Sequence, residues 1–410
     1  MSQADTLRIA IRAFGPFERA IERQYASFQA ATGCPLLLEW QALDLGPLYA
    51  TLFTDEGLKH GDWDIAFVVT DWLAEAIDAN ALADLTPHMK AQPIAEYPQA
   101  WAPALTRMQQ VGDAVYGVPY HDGPQCCIYR RDLFEDPTEQ ATFLTRYSYP
   151  LAPPRTWGEF VDIARFFNRP EQGLAGTVFA AFPDGHNTVY DFCLQLWSRG
   201  GDLTDASGAV QLDTPEAATA LDFYRQIVSD RTATPDGQQE IDSVQSGARF
   251  AEGGVAMMVN WFGFAAVCEQ PNSPTKGRVA VAPLPAGENG QSAALSVYWL
   301  LAIGAGSRHT DAAYQFLRYV CSAEMDKLAT LEGAIGCRRS TWDDAEVNTV
   351  IPFYHTLAEL HQHTRELPRS RELPRLIHVI DHMVRQALES STPSATLLRE
   401  AQREAATIQL

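Results

Sequence analysis

The residues able to do chemistry in this 410-residue chain form a few enzymatic near-misses and a longer series of aromatics set beside polar groups. His378 and His382 lie four apart on a helical stretch, so both can reach one metal ion, yet no HExxH glutamate or third ligand accompanies them. His361 and His363 are two apart and diverge on a helix. Gly304-Ala305-Gly306 sits between a strand and a helix as a dinucleotide loop does, but His309 stands where the third glycine belongs. Neither a Walker A sequence nor a GxSxG elbow is present. The seven cysteines include no CxxC pair, and adjacent Cys126 and Cys127 point to opposite faces of a strand, so they read as small buried thiols. No enzymatic activity, cofactor or metal is expected from this set.

The aromatics carry a different chemistry. In ARFAEGGVAMMVNWFGF, Ala248 to Phe264, a polar helical stretch passes Gly253-Gly254 into an apolar strand and ends on Asn260, Trp261 and Phe262. Rings at the end of a buried strand are either core or a platform for a ligand. An indole covers the C–H face of a sugar ring while polar neighbours satisfy its hydroxyl rim. The same reasoning nominates Trp72, Tyr190, Tyr298 and Trp299.

These residues need elements to hold them. Leu7, Ile9 and Ile11 alternate as in a strand, and the chain breaks at Phe14-Gly15-Pro16. Phe17, Ala20, Ile21, Tyr25 and Phe28 then follow helical spacing up to Thr32-Gly33, and a second strand covers Pro35 to Trp40. This is a βαβ unit, and a third strand, Asp64 to Val69, leads to Asp71 as the cap of a helix from Trp72 to Ala79. The first ~120 residues therefore predict an open parallel sheet with helices on its faces. In such sheets ligands bind beyond the strands' carboxyl ends, which brings in Phe14 and Asp44.

Further on, Gly112-Asp113 turns a short hairpin, and Thr156 with Glu159 forms a capping box. Helices are predicted over Asp191 to Trp197 and Pro215 to Val228, and strands over Arg278 to Pro283 and Val297 to Ile303. Beyond Cys337 the pattern is helical, with Thr392-Pro393 starting the last helix. Length favours two domains. The charge of -20, from 51 acidic and 31 basic residues, argues against nucleic acid and anionic membranes as partners. MSQADTLRIAIRAFG enters a strand pattern directly and lacks the features of a secretory signal, so a cytoplasmic chain or a form without its leader is expected.

Five blocks in order resemble the extracellular solute-binding proteins of family 1, the sugar-receptor components of bacterial ABC importers. They are DWDIAFVVTDWLAEAIDANALADLTPHM, VYGVPYHDGPQCCIYRRDLF, PRTWGEFVDIA, RFAEGGVAMMVNWFGF and LLAIGAGSRHTDAAYQFLRYVCSAEM. The resemblance implies a two-lobed α/β fold of the periplasmic-binding-protein type, with hinge segments and the ligand between the lobes. It implies residues 1–121 with 280–335 for one lobe and 122–279 with 336–410 for the other. It adds His121, Asp122, His186, Asn187 and Arg339 to the ligand candidates, Arg338 and Arg339 reading as an exposed pair. The implied role is capture of a small polar solute, a saccharide or polyol, by a monomer serving a membrane permease in the periplasm. A cytoplasmic ligand sensor on the same fold is the alternative. Where many members carry Gly-Gly this chain has Ser296-Val297-Tyr298-Trp299, which implies a more crowded floor to the site.

Overall fold

The computed structural model describes residues 5–287 and 290–410; residues 1–4, on which the reading of the N-terminus rests, lie outside the described residues. The chain divides into two compact units. Unit 1 takes Met1–Gly123 and Val297–His355, and unit 2 takes Pro124–Ser296 and Thr356–Leu410.

In unit 1 the strand Thr6–Arg12 leads into the helix Gly15–Thr32, which carries proline in its first turn. Gly33 ends that helix at φ 69°, its N–H bonded to Gln29 O, a left-handed cap that glycine adopts without steric penalty. The strand Leu37–Leu43 then returns parallel to the first, Thr6 facing Leu37 and Arg12 facing Leu43. The third strand, Ile65–Val69, is buried at all five positions and lies on the other side of Thr6–Arg12.

The expected parallel sheet is in fact mixed. The late strand Trp299–Ile303 inserts antiparallel between Ile65–Val69 and Val118–His121, completing five strands. Its central place explains why Leu300 to Ile303 are apolar without alternation, since both faces are covered. The helix Gly15–Thr32 packs by its buried face, with Tyr25 and Phe28 against Phe316.

Unit 2 is built on a three-stranded antiparallel sheet in which Gln125–Arg130 lies between Met257–Trp261 and Val279–Ala282. The helix Asn187–Ser198 is buried along its whole length, packed by Pro215–Ser229 and Leu373–Glu389. Thr156 caps Trp157–Phe167 through Glu159 N–H as expected, whereas the Glu159 carboxylate accepts from Arg155 N–H. Thr392 does not cap the last helix. That helix, Ser394–Ala405, has Pro393 at its cap, and Ser394 Oγ donates instead to Asp222. The stretch beyond Cys337 also includes a short strand, Thr364–Arg365, paired with Ala294–Leu295.

The unit borders differ from those expected. Val279–Ala282 pairs with Cys127–Arg130, so residues 280–296 belong to unit 2 and the second border falls after Ser296. Residues 336–355 belong to unit 1, where the buried Asp326 carboxylate accepts the N–H groups of Cys337 and Arg338 and the Thr341 hydroxyl. The chain thus passes from one unit to the other three times, after Gly123, Ser296 and His355. Among the described residues no helix is long and apolar enough to cross a membrane.

Candidate functional site

The carboxyl ends of the parallel strands of unit 1 and the amino end of the antiparallel one share an edge. Trp299 is paired with both Val69 and His121, so the residues that follow Ile65–Val69 and Val118–His121 converge on it. Trp72 meets Trp299 edge-on, centroids 5.9 Å apart, and Tyr49 packs on Trp72 at 5.3 Å. Phe14 touches Phe17, whose ring lies 4.6 Å from the His121 imidazole. Phe14, Asp44, Asp71, Trp72, His121, Asp122 and Trp299 therefore gather at one edge, as the sequence reasoning expects of strand ends.

They are not equally presented. Trp299 and His121 keep part of their surface, and Asp44 is exposed while paired with Arg12 at 2.8 Å. Asp71, Trp72 and Asp122 are buried. Asp71 lies inside the turn Thr70–Trp72 and is not the cap of the helix Leu73–Asp78, whose cap position falls on Trp72. Tyr298 is completely buried and donates its hydroxyl to Gln109 Oε1, so it packs and does not face a solute.

His121 is bolted in place. Its Nδ1 accepts Ile335 N–H at 2.8 Å, while Asp122 N–H donates to Ile335 O at 3.0 Å. An accepting Nδ1 puts the proton of the neutral ring on Nε2. Burial pushes its pKa down to about 4, with the Asp122 carboxylate opposing. Because the unfolded ring titrates near ~6.5, it takes up protons that the folded ring refuses, so stability is lost as pH falls from about 6.5 toward 4. NMR titration of the folded protein is expected to show the His121 ring neutral at pH 5.5; a midpoint near ~6.5 would contradict the burial.

Arg339 lies in unit 1, exposed, at the start of the helix Arg339–Trp342. Arg338, expected to be exposed, is 2% exposed; it pairs with Glu96, donates to Cys321 O and covers the Trp101 ring at 4.8 Å. Its role is internal packing.

In unit 2 the elements around Trp261 and Phe262 separate the roles of the two rings. The helix Ser243–Ala251 ends ahead of Gly253, which turns the chain at φ 88°, and the strand Met257–Trp261 follows. Asn260 is the clamp. Its Nδ2 donates to Ser243 O and Ser246 Oγ, and its Oδ1 accepts Trp261 N–H at 2.8 Å. The chain then becomes the helix Phe262–Val267, in which Phe262 is completely buried. Phe262 is thus a core residue, and Trp261 is the partly exposed member of the pair.

Tyr190 stands edge-on to Trp261 at 5.7 Å, and His186 edge-on to Tyr190 at 5.6 Å. The Asp184 carboxylate accepts the backbone N–H groups of His186 and Asn187 and the Asn187 side-chain amide, which fixes the start of the helix Asn187–Ser198. Tyr190 and Trp261 are thus in ring contact, Asn187 lies one turn before Tyr190 on the same helix, and Asn187 and Tyr190 are buried. Sequence reasoning missed Gln125, the cross-strand partner of Trp261 and 3% exposed. Only the strand register reveals it. Among the described residues no group of three or more His, Cys, Asp or Glu is arranged to hold a metal, and all seven cysteines are free.

Rings at strand ends, set beside donors and acceptors, equip a protein to hold a ligand reversibly. The profile of the bacterial extracellular solute-binding proteins matches residues 39–327, and the chain belongs to that family. Its fold is that of the two-lobed periplasmic binding proteins: maltose-bound MalE3 of T. maritima matches with a TM-score of 0.85 and 26% identity, over 98% of this chain and 99% of that one. A probable ABC transporter-binding protein of Deinococcus radiodurans is 28% identical over 313 residues, 74% of this chain and 69% of its own length. The mannitol-binding protein of Pseudomonas aeruginosa is 26% identical over 331 residues, covering 76% of this chain and 69% of its own.

Proposed function

We propose that this chain is the solute receptor of an ABC importer, working as a monomer outside the cytoplasmic membrane, and that its solute is a saccharide or polyol. The observation that carries the reading is Trp261, a partly exposed indole held at the end of a buried strand by the Asn260 clamp, with Tyr190 edge-on beside it. That arrangement suits the apolar face of a sugar or the carbon chain of a polyol. Mannitol and maltose, named for similar proteins, are the two chemistries it would take. The candidates for holding the solute are Asn187, Tyr190 and Trp261 in unit 2, and unit 1 has its own candidates in Phe14, Asp44, His121 and Trp299. Binding is reversible and no bond is made or broken; the loaded receptor delivers the solute to a membrane permease.

A micromolar dissociation constant requires about -8 kcal/mol, within the range of one stacked ring and several hydrogen bonds. A thermal-shift screen over sugars, polyols and their phosphates and sulfonates tests the reading, because a ligand of the folded state raises Tm with its concentration over Kd. Neutral sugars or polyols are expected to raise Tm. A response confined to the phosphates and sulfonates would overturn the solute class.

A further inference from the structure

Gln125 opens the strand Gln125–Arg130 and stands directly opposite Trp261. Opposed residues of an antiparallel pair project on the same face of the sheet, so the amide lies beside the indole. The next pair, Cys126 with Asn260, projects on the other face, where the Asn260 amide is engaged with Ser243 and Ser246. The two polar residues thus have separate duties. Asn260 builds the turn, and Gln125 keeps a side-chain carbonyl oxygen that is buried and has no hydrogen-bond partner among the described residues.

A buried acceptor left without a donor destabilises the protein that carries it, and folded proteins rarely retain one without a use. Gln125 is 3% exposed, so the oxygen is not left to bulk solvent. A second buried polar atom in the same condition, Ser296 Oγ, follows the strand Ala294–Leu295, which packs against Gln125–Arg130. Gln125 Oε1 and Ser296 Oγ thus belong to neighbouring parts of unit 2.

We propose that Gln125 is a specificity-determining residue of the solute site: its Oε1 accepts the proton of one solute hydroxyl beside the carbon skeleton packed on Trp261. The assignment rests on the reading of the chain as a receptor for a sugar or polyol. Its consequence is selection by hydroxyl. A solute that carries hydrogen at that carbon leaves the carbonyl buried and dry, and a site built to bond a hydroxyl rejects the analogue lacking it.

The test uses the full chain and isothermal calorimetry with D-mannitol, ribitol and maltose; the solute that binds becomes the probe, together with its mono-deoxy analogues. Gln125→Met keeps the volume and removes the oxygen. Wild type is expected to bind one deoxy analogue at least tenfold more weakly than the probe. Gln125→Met is expected to bind the probe at least tenfold more weakly than wild type does and to bind that same analogue as tightly as the probe. The unliganded variant should melt at the wild-type temperature or above it, because the unmet carbonyl is gone, an outcome that a purely structural role would not give. Gln125→Glu, which keeps an acceptor in place, should retain the discrimination, and it answers the question if the methionine variant does not fold. Probe affinities of wild type and Gln125→Met within twofold, or undiminished hydroxyl discrimination in the methionine variant, overturn the assignment of Gln125 and leave the solute reading standing. Absence of binding by wild type to these three and to the wider sugar and polyol panel overturns the solute reading itself, and this assignment with it.

Discussion

Trp261→Ala is expected to weaken solute binding at least tenfold, a loss of about 1.4 kcal/mol or more, while the protein stays folded. The two halves of this expectation have separate causes. Trp261 ends its strand partly exposed, so truncating it opens little closed space, and Asn260 holds the turn through the backbone N–H of residue 261, which alanine retains. The lost contact is the stacking surface itself. Phe262→Ala provides the contrast. Its ring is completely buried, so its removal is expected to cost about 3–5 kcal/mol of stability. Calorimetry with the best responder of the thermal-shift screen, alongside circular dichroism of both variants, checks the pair. Unchanged affinity in Trp261→Ala would remove Trp261 from the site.

A loss of stability as large as that of Phe262→Ala is expected from Asp326→Ala. This carboxylate is buried in unit 1, and burial raises its pKa above the ordinary carboxylate range, opposed first by the Thr341 hydroxyl and then by the N–H groups of Cys337 and Arg338. It anchors the segment that begins at Gly336, where an added Cβ would collide with Asp326 Oδ2 and Thr330 Oγ1. Alanine at 326 leaves two backbone N–H groups and a hydroxyl buried without an acceptor, each costing about 1–3 kcal/mol. A total near 3–5 kcal/mol follows once the surroundings relax. Urea unfolding should show it as a lower midpoint. A loss below ~1 kcal/mol would mean that the segment is held by its other contacts, among them Arg338 with Glu96 and Trp101.

Local pattern made much of this legible. Alternation located the strand Thr6–Arg12, the 3.6 period located Gly15–Thr32, and Gly33 ended it for the conformational reason expected. The strand-end rule gathered most of the unit 1 candidates at one edge. Pairing was not legible, because a strand's periodicity does not name its neighbour. Val279–Ala282 looks like any half-buried strand, and only its pairing with Cys127–Arg130 assigns it to unit 2. The same limit hid Gln125, whose interest lies entirely in facing Trp261. It also left the choice between Trp261 and Phe262 open, since one residue of difference in where the strand becomes a helix exchanges platform for core. Arg338 was misjudged because a guanidinium looks like surface until its partners, Glu96 and the Trp101 ring, are known.

The insertion of Trp299–Ile303 beside Ile65–Val69 has a consequence during synthesis. The ribosome releases Ile65–Val69 early, but the strand that must lie beside it is more than two hundred residues away in the sequence. At ~5–20 residues per second the nascent chain waits roughly 10 to 50 seconds for it. Through that interval IAFVV is an uncovered apolar edge, the kind of segment that holding factors grip and that pairs wrongly when left alone. The sheet of unit 1 therefore cannot be completed before Trp299–Ile303 has been made, and the growing polypeptide stays loose until then.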